Sequence, residues 1–248
     1  MKNIKLNNLK ENKNYLFLTL GLFILLGSFI FILMDSINYN SSYEIDLKTL
    51  TPTVYALFKH AGTIFYFTYL TNLFTGITLI LFSIIKNREK ILKMFVISVG
   101  LITITFLVYW LLLSWRKETW STFYSAIRST ITHAINPVIA FVVLFLLRKT
   151  AVISSKEIKT TAIITIAYCL FALIIYFASY NKFVEGAGVT IYSFLNFTKP
   201  LFYTGGNLGV VIFLDILIFA LAVGLSLSTL LFWKGVYKIK FVKCQRHK

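Results

Sequence analysis

Six stretches of the chain carry apolar side chains with almost no charge, for about the 20 residues that a helix needs to cross a bilayer core. They run from Tyr15 to Met34, Ala61 to Ile85, Met94 to Trp115, Thr130 to Leu147, Thr160 to Tyr180 and Leu208 to Trp233. The connections are short and no internal repeat is visible. The pattern therefore predicts an all-α polytopic membrane protein, with a six-helix transmembrane domain over 15–233 between tails at 1–14 and 234–248. The outer connection Asp35 to His60 holds Asp35, Glu44 and Asp46 and reads as solvated. The outer stretch from Gly186 to Phe197 is too apolar for that. It predicts a strand-like or re-entrant cap whose backbone is buried in protein, with Gly205-Gly206 as a flexible approach to the last helix.

Composition sharpens this picture. At 58% hydrophobic residues and a mean hydropathy of +0.78, a soluble globular chain is excluded. The net charge of +16 invites a nucleic-acid reading, but its placement argues against one. Four basic residues precede the first helix, four lie at 86–93, four at 148–159 and six follow Trp233, so 18 of 25 fall on one side. By the positive-inside rule both termini are cytoplasmic, and the basic tails rest near anionic headgroups. Nucleic acid is not an expected partner; membrane lipids are. The apolar run after the basic start lacks an Ala-x-Ala-like exit and reads as a retained anchor rather than a cleaved signal. The Lys, Ile, Phe and Asn bias suggests a bacterial protein, hence a plasma-membrane location. Cys169 and Cys244 lie in a span and a tail, so neither a disulfide nor a metal site is expected, and no cofactor is implied.

Polar residues inside the apolar spans supply the candidate chemistry. Thr68, Asn72 and Thr75 recur at i, i+4, i+7 and share one helical face. A lone membrane threonine usually bonds its own i−4 carbonyl, but Asn72 needs a partner and turns the stripe inward. His133 is an ionisable side chain within a span, where such groups mark function by default. Asn136 follows at i+3, and Pro137 has no N–H for the His133 carbonyl, so a local opening is expected. A Thr68 hydroxyl and a His133 imidazole at similar depth suit a nucleophile and its general base, with Asn72 or Asn136 donating to an oxyanion. Asp215 is the only acid in the apolar spans, and either accepts hydrogen bonds, orients His133 or serves a solute site. Trp110, Trp115, Trp120 and Tyr109 read as an interfacial aromatic belt.

The segments Tyr66-Phe67-Thr68-Tyr69-Leu70-Thr71-Asn72-Leu73, His133-Ala134-Ile135-Asn136-Pro137 and Tyr192-Ser193-Phe194-Leu195-Asn196 resemble the androgen-induced membrane protein family and its bacterial relatives. The family's characterised animal members are multi-pass threonine hydrolases of fatty-acid esters. The resemblance implies Thr68 as nucleophile, His133 as base, and Tyr192 and Asn196 as site-lining residues. The chain departs from the animal pattern in the spacing of His133 to Pro137, in Thr71 where an acid is expected, and in Ser193 where a proline is expected.

The leading expectation is thus an integral-membrane acyl hydrolase or acyltransferase acting on a lipid-like fatty-acyl ester. The alternatives are the substrate-binding membrane component of a small-solute importer, with a membrane protein partner, or a non-catalytic membrane scaffold.

Overall fold

In a computed structural model, residues 2–242 are described, with side chains from Lys13 onward, Glu118 excepted. Cys244 and the last basic residues lie outside the described part. Among the described residues, six helical runs are long and apolar enough to cross a membrane: Lys13–Ile37, Val54–Ile84, Arg88–Leu113, Phe123–Leu147, Ser155–Ala178 and Leu208–Tyr237. The protein is an all-α polytopic membrane protein, as the hydropathy pattern predicts.

Eight α-helices build these runs: α1 (Lys2–Ile37), α2 (Val54–Phe58), α3 (Phe67–Ile84), α4 (Arg88–Val108), α5 (Phe123–Thr130), α6 (Asn136–Leu147), α7 (Ser155–Ala178) and α8 (Leu208–Tyr237). Two runs are broken, which the sequence pattern did not resolve. The second passes from α2 through a 3₁₀ turn, Lys59–Phe65, to an extended Tyr66 before α3 begins. The fourth starts at Phe123, not Thr130, and joins α5 to α6 through a π-helical turn, Ile131–Ile135. A second π turn, Tyr109–Leu113, closes the α4 run.

By contact the chain divides into two units, residues 1–30, 71–161 and 226–248, and residues 31–70 and 162–225. The first has an apolar core that includes Ile24, Leu79, Phe95, Val99, Ile102, Leu144 and Leu230. Lipid is as apolar as these side chains, so close packing and polar contacts must hold the helices together. A Cβ on Gly76 of α3 would meet the Leu25 nitrogen at 2.8 Å and the Gly21 carbonyl at 3.0 Å, so only glycine permits this approach to α1. Thr71 Oγ1 lies 2.9 Å from Thr105 Oγ1, and the Trp233 indole donates to Thr103 Oγ1 at 2.8 Å. These bonds join α3 to α4 and α4 to α8.

On the basic side of this unit, strands Val152–Ser154 (β3) and Lys240–Val242 (β4) pair in parallel. α8 stops in a left-handed residue, Lys238, at φ 53°, and the Ile239 N–H bonds the Lys234 carbonyl at 3.1 Å. That is the bond pattern of a Schellman turn with lysine where glycine is usual, and it swings β4 onto β3.

The second unit contains a short antiparallel pair, Ile45–Asp46 (β1) with Thr51–Pro52 (β2). The outer connection is therefore only partly solvated: Thr51, Pro52 and Val54 are buried. The apolar outer stretch is also buried from Ala187 to Phe197, except for partly exposed Tyr192 and Ser193. Its backbone is irregular rather than strand-like. Thr190 donates its N–H to the Pro52 carbonyl at 2.8 Å, and the Val189 N–H finds Ser179 Oγ at 2.8 Å. Partners of this kind are what allow loop backbone to be buried.

Candidate functional site

Both helix breaks lie beside a residue singled out from the sequence. In the first unit, the π turn and Pro137 together leave two carbonyls without their ordinary i+4 donors. The Asn136 N–H bonds Ile131 instead of Thr132, and Pro137 has no N–H to give His133. Two side chains take their place. Asn72 Nδ2 donates to the Thr132 carbonyl at 3.2 Å, and the Trp110 indole donates to the His133 carbonyl at 3.0 Å. The opening expected at Pro137 is present, but it is filled by these donors. Trp110 thus has a specific bond as well as its partly exposed ring.

Asn136 is fully buried. Its amide donates to Asn72 Oδ1 at 2.8 Å and reaches Ser28 Oγ at 3.5 Å. This amide pair ties α1, α3 and α6 at one level. Both Asn136 donors are directed at these neighbours, which leaves its buried Oδ1 as a bare acceptor. Thr75 and Thr78 donate to the Thr71 and Thr75 carbonyls, the ordinary role of threonine in a membrane helix.

The His133 ring lies flat on Tyr109 with centroids 3.8 Å apart. Its Nδ1 is buried and has no hydrogen-bond partner among the described residues. A neutral imidazole carries one N–H and one lone pair. With the proton on Nε2, the stacked ring presents a fixed basic nitrogen in an apolar setting. Tyr109 was read only as part of the aromatic belt; its place against His133 is set by the π turn that begins with it, which leaves no sequence signal of its own.

In the second unit, Thr68 sits in the first turn of α3, at the helix start rather than well inside a continuous span. The break at Tyr66 frees backbone groups on either side. Tyr168 hydroxyl accepts from the Phe67 N–H at 3.1 Å and donates to the Phe65 carbonyl at 2.9 Å. Tyr192 hydroxyl accepts from the Thr68 N–H at 3.4 Å and lies 3.4 Å from Thr68 Oγ1. Burial pushes the Tyr192 phenol above its ordinary value, so it stays a neutral donor. Its ring is held edge-on by Tyr66 and stacked by Phe194.

Asn196 has a structural assignment in this unit. Its Oδ1 accepts from the Tyr176 hydroxyl at 2.8 Å and from the Thr198 and Lys199 N–H groups, folding the outer stretch onto α7. Asp215 lies partly buried on α8, with Oδ1 buried and without a hydrogen-bond partner among the described residues. His60 is exposed, packs at a tilt against Tyr39 with ring centroids 4.5 Å apart, and contacts the Ser36 carbonyl through Nδ1 at 2.8 Å. Among the described residues no cluster of three or more His, Cys, Asp or Glu has metal-holding geometry.

Comparison with protein-family models, with curated proteins and with solved structures finds no match to the chain. The site is therefore read from its own chemistry.

Proposed function

We propose that this membrane protein is an acyl hydrolase or acyltransferase acting on a lipid-like fatty-acyl ester, with Thr68 as nucleophile and His133 as general base. The observation that carries this reading is the stacked intramembrane imidazole with a bare, buried Nδ1. An unprotonated ring nitrogen without a partner is what a base requires. The neutral Tyr192 hydroxyl beside Thr68 Oγ1 is a donor available to the ester oxygen on which negative charge develops.

The chemistry balances as ordinary acyl transfer. The nucleophile Thr68 Oγ1 bonds to the ester carbonyl carbon while its proton passes to the general base. The tetrahedral intermediate collapses, the C–O bond to the leaving alcohol breaks, and the base returns the proton to that alcohol. Water or a second alcohol then takes the acyl group from Thr68 by the same steps. The resemblance of the three short segments to the threonine-hydrolase family supports the same roles.

The test is turnover of a fluorogenic fatty-acyl ester by the purified full chain in detergent, beside Thr68→Ala and His133→Ala. Loss of a general base typically costs 10²- to 10⁴-fold, and both variants are expected to fall at least that far. Undiminished turnover in both, with unfolding temperatures preserved, sinks the reading.

One observation favours a second reading, the substrate-binding component of a small-solute importer. Asp215 places an unpartnered carboxylate oxygen within a span, a feature typical of solute and proton sites. Copurification with an ATPase module, together with no ester turnover, would favour it.

A further inference from the structure

The parallel β3–β4 pair gathers positive charge that the sequence distributes over two distant segments. Residues 148–159 and 234–242 contain seven basic residues, Arg148, Lys149, Lys156, Lys159, Lys234, Lys238 and Lys240, and one acid, Glu157. The register sets Lys240 against Val152 and Val242 against Ser154. Because the strands run in the same direction, Lys238 enters the pair at the end that follows Lys149, and Lys156 leaves it beside Val242.

The pair has two distinct faces. Ile153 is fully buried and Phe241 packs against the same core, while Lys240 and Val242 point away from it. Lys149, Lys156, Lys159, Lys238 and Lys240 are all exposed. None of their ammonium groups meets a carboxylate among the described residues. Glu157, the one acid in these two segments, is 4% exposed, and its Oε2 is occupied by the Ser154 N–H and hydroxyl at 2.7 and 2.5 Å. Exposed Leu146, Val236 and Val242 flank the lysines with apolar surface. Charge facing outward, with apolar side chains beside it at the end of two membrane helices, matches the headgroup and upper acyl chain of an anionic lipid.

We propose that the β3–β4 platform is a binding site for anionic phospholipid in the leaflet on the basic side of the protein. The strand pair makes it a site rather than a general charge bias, because it fixes lysines from two segments on one surface. This proposal is independent of the acyl-transfer reading.

The test measures phosphatidylglycerol and phosphatidylcholine binding to the full chain in neutral detergent by native mass spectrometry. Wild type is compared with the triple variant Lys149→Gln, Lys156→Gln, Lys240→Gln and with Lys86→Gln, Lys90→Gln, which removes charge from the other basic loop. At about fivefold per lysine near an anionic surface, the triple variant should lose at least tenfold in phosphatidylglycerol affinity. The Lys86, Lys90 variant should stay within about twofold, and phosphatidylcholine binding should not change. Equal loss in both variants, or none in the triple, overturns the proposal. Competition by millimolar inorganic phosphate as effective as the lipid would also overturn it, since the site would then be a free-anion site. Should the triple variant fail to fold, wild type decides: its preference for phosphatidylglycerol must collapse between low and high salt, and a salt-independent preference overturns the proposal.

Discussion

The imidazole of His133 lies face to face with the phenol ring of Tyr109, 3.8 Å between centroids and 7° from parallel. Each ring comes from a π-helical turn, so one extra residue in each of two helices aims both side chains at each other. Tyr109→Phe keeps the ring and should retain ester turnover within about threefold. Tyr109→Leu removes the surface that holds the imidazole and should lower turnover about 10- to 100-fold, the scale expected for a misplaced catalytic group. Equal turnover in the two variants would show that stacking does not position His133.

The Asn72–Asn136 pair calls for a double-mutant cycle. Removing one amide strands its partner's buried polar atoms, at about 1–3 kcal/mol. Asn72→Leu and Asn136→Leu should therefore each lower the thermal unfolding temperature in detergent. The double variant should lose less than the sum, because no widowed amide remains. Strict additivity would mean that the two side chains are not coupled.

Gly188 and Gly224 make a controlled comparison. A Cβ at Gly188 would sit 2.1 Å from the Tyr176 carbonyl oxygen, whereas at Gly224, within α8, it meets nothing within 4 Å. Gly188→Ala forces backbone apart and should destabilise by about 1–3 kcal/mol or more. Gly224→Ala should be neutral or stabilising by up to about 1 kcal/mol, the helix-propensity difference. Fluorescence-detected thermal stability of the two variants settles the order, and a tolerant Gly188 would refute the close approach of the outer stretch to α7.

The outer connection should loosen at both extremes of pH. The Lys59 ammonium and then the Tyr39 hydroxyl hold the Glu44 carboxyl below its usual 4.5. The stabilisation from that carboxylate is present above 4.5 and is lost as pH falls through the lowered value. The bond to Glu44 pushes Tyr39 from 10.0 up to about 12, so its share is present below 10 and is lost as pH rises through about 12. The ultraviolet titration difference between wild type and Tyr39→Phe should contain a phenol ionising near 12. A midpoint near 10 would show that the bond to Glu44 does not form.

The six spans were legible because lipid imposes a long, uninterrupted apolar run that composition alone reveals. The breaks were legible unequally. Pro137 signals one, since a missing N–H is written in the residue type. Nothing marks Tyr66, where neither glycine nor proline stands, because the break is held by the hydroxyls of Tyr168 and Tyr192, more than 100 residues away. Trp110 was hidden as the donor to the His133 carbonyl for the same reason, at a separation of 23 residues. Asn72 was correctly turned inward by the cost of an amide in hydrocarbon, and Asn136 is fully buried as well. That they meet each other required the tertiary structure.

The parallel pairing of Val152–Ser154 with Lys240–Val242 also orders the protein's assembly. The first strand is made long before its mate, and a parallel partner can reach it only after the last helix has crossed the bilayer and turned at Lys238. Until then its edge stays open, with backbone donors and acceptors presented to whatever extended chain is nearby. Closure of this small ladder therefore reports that all six crossings are complete, and a chain halted before residue 240 would keep an adhesive edge that chaperones or proteases can recognise.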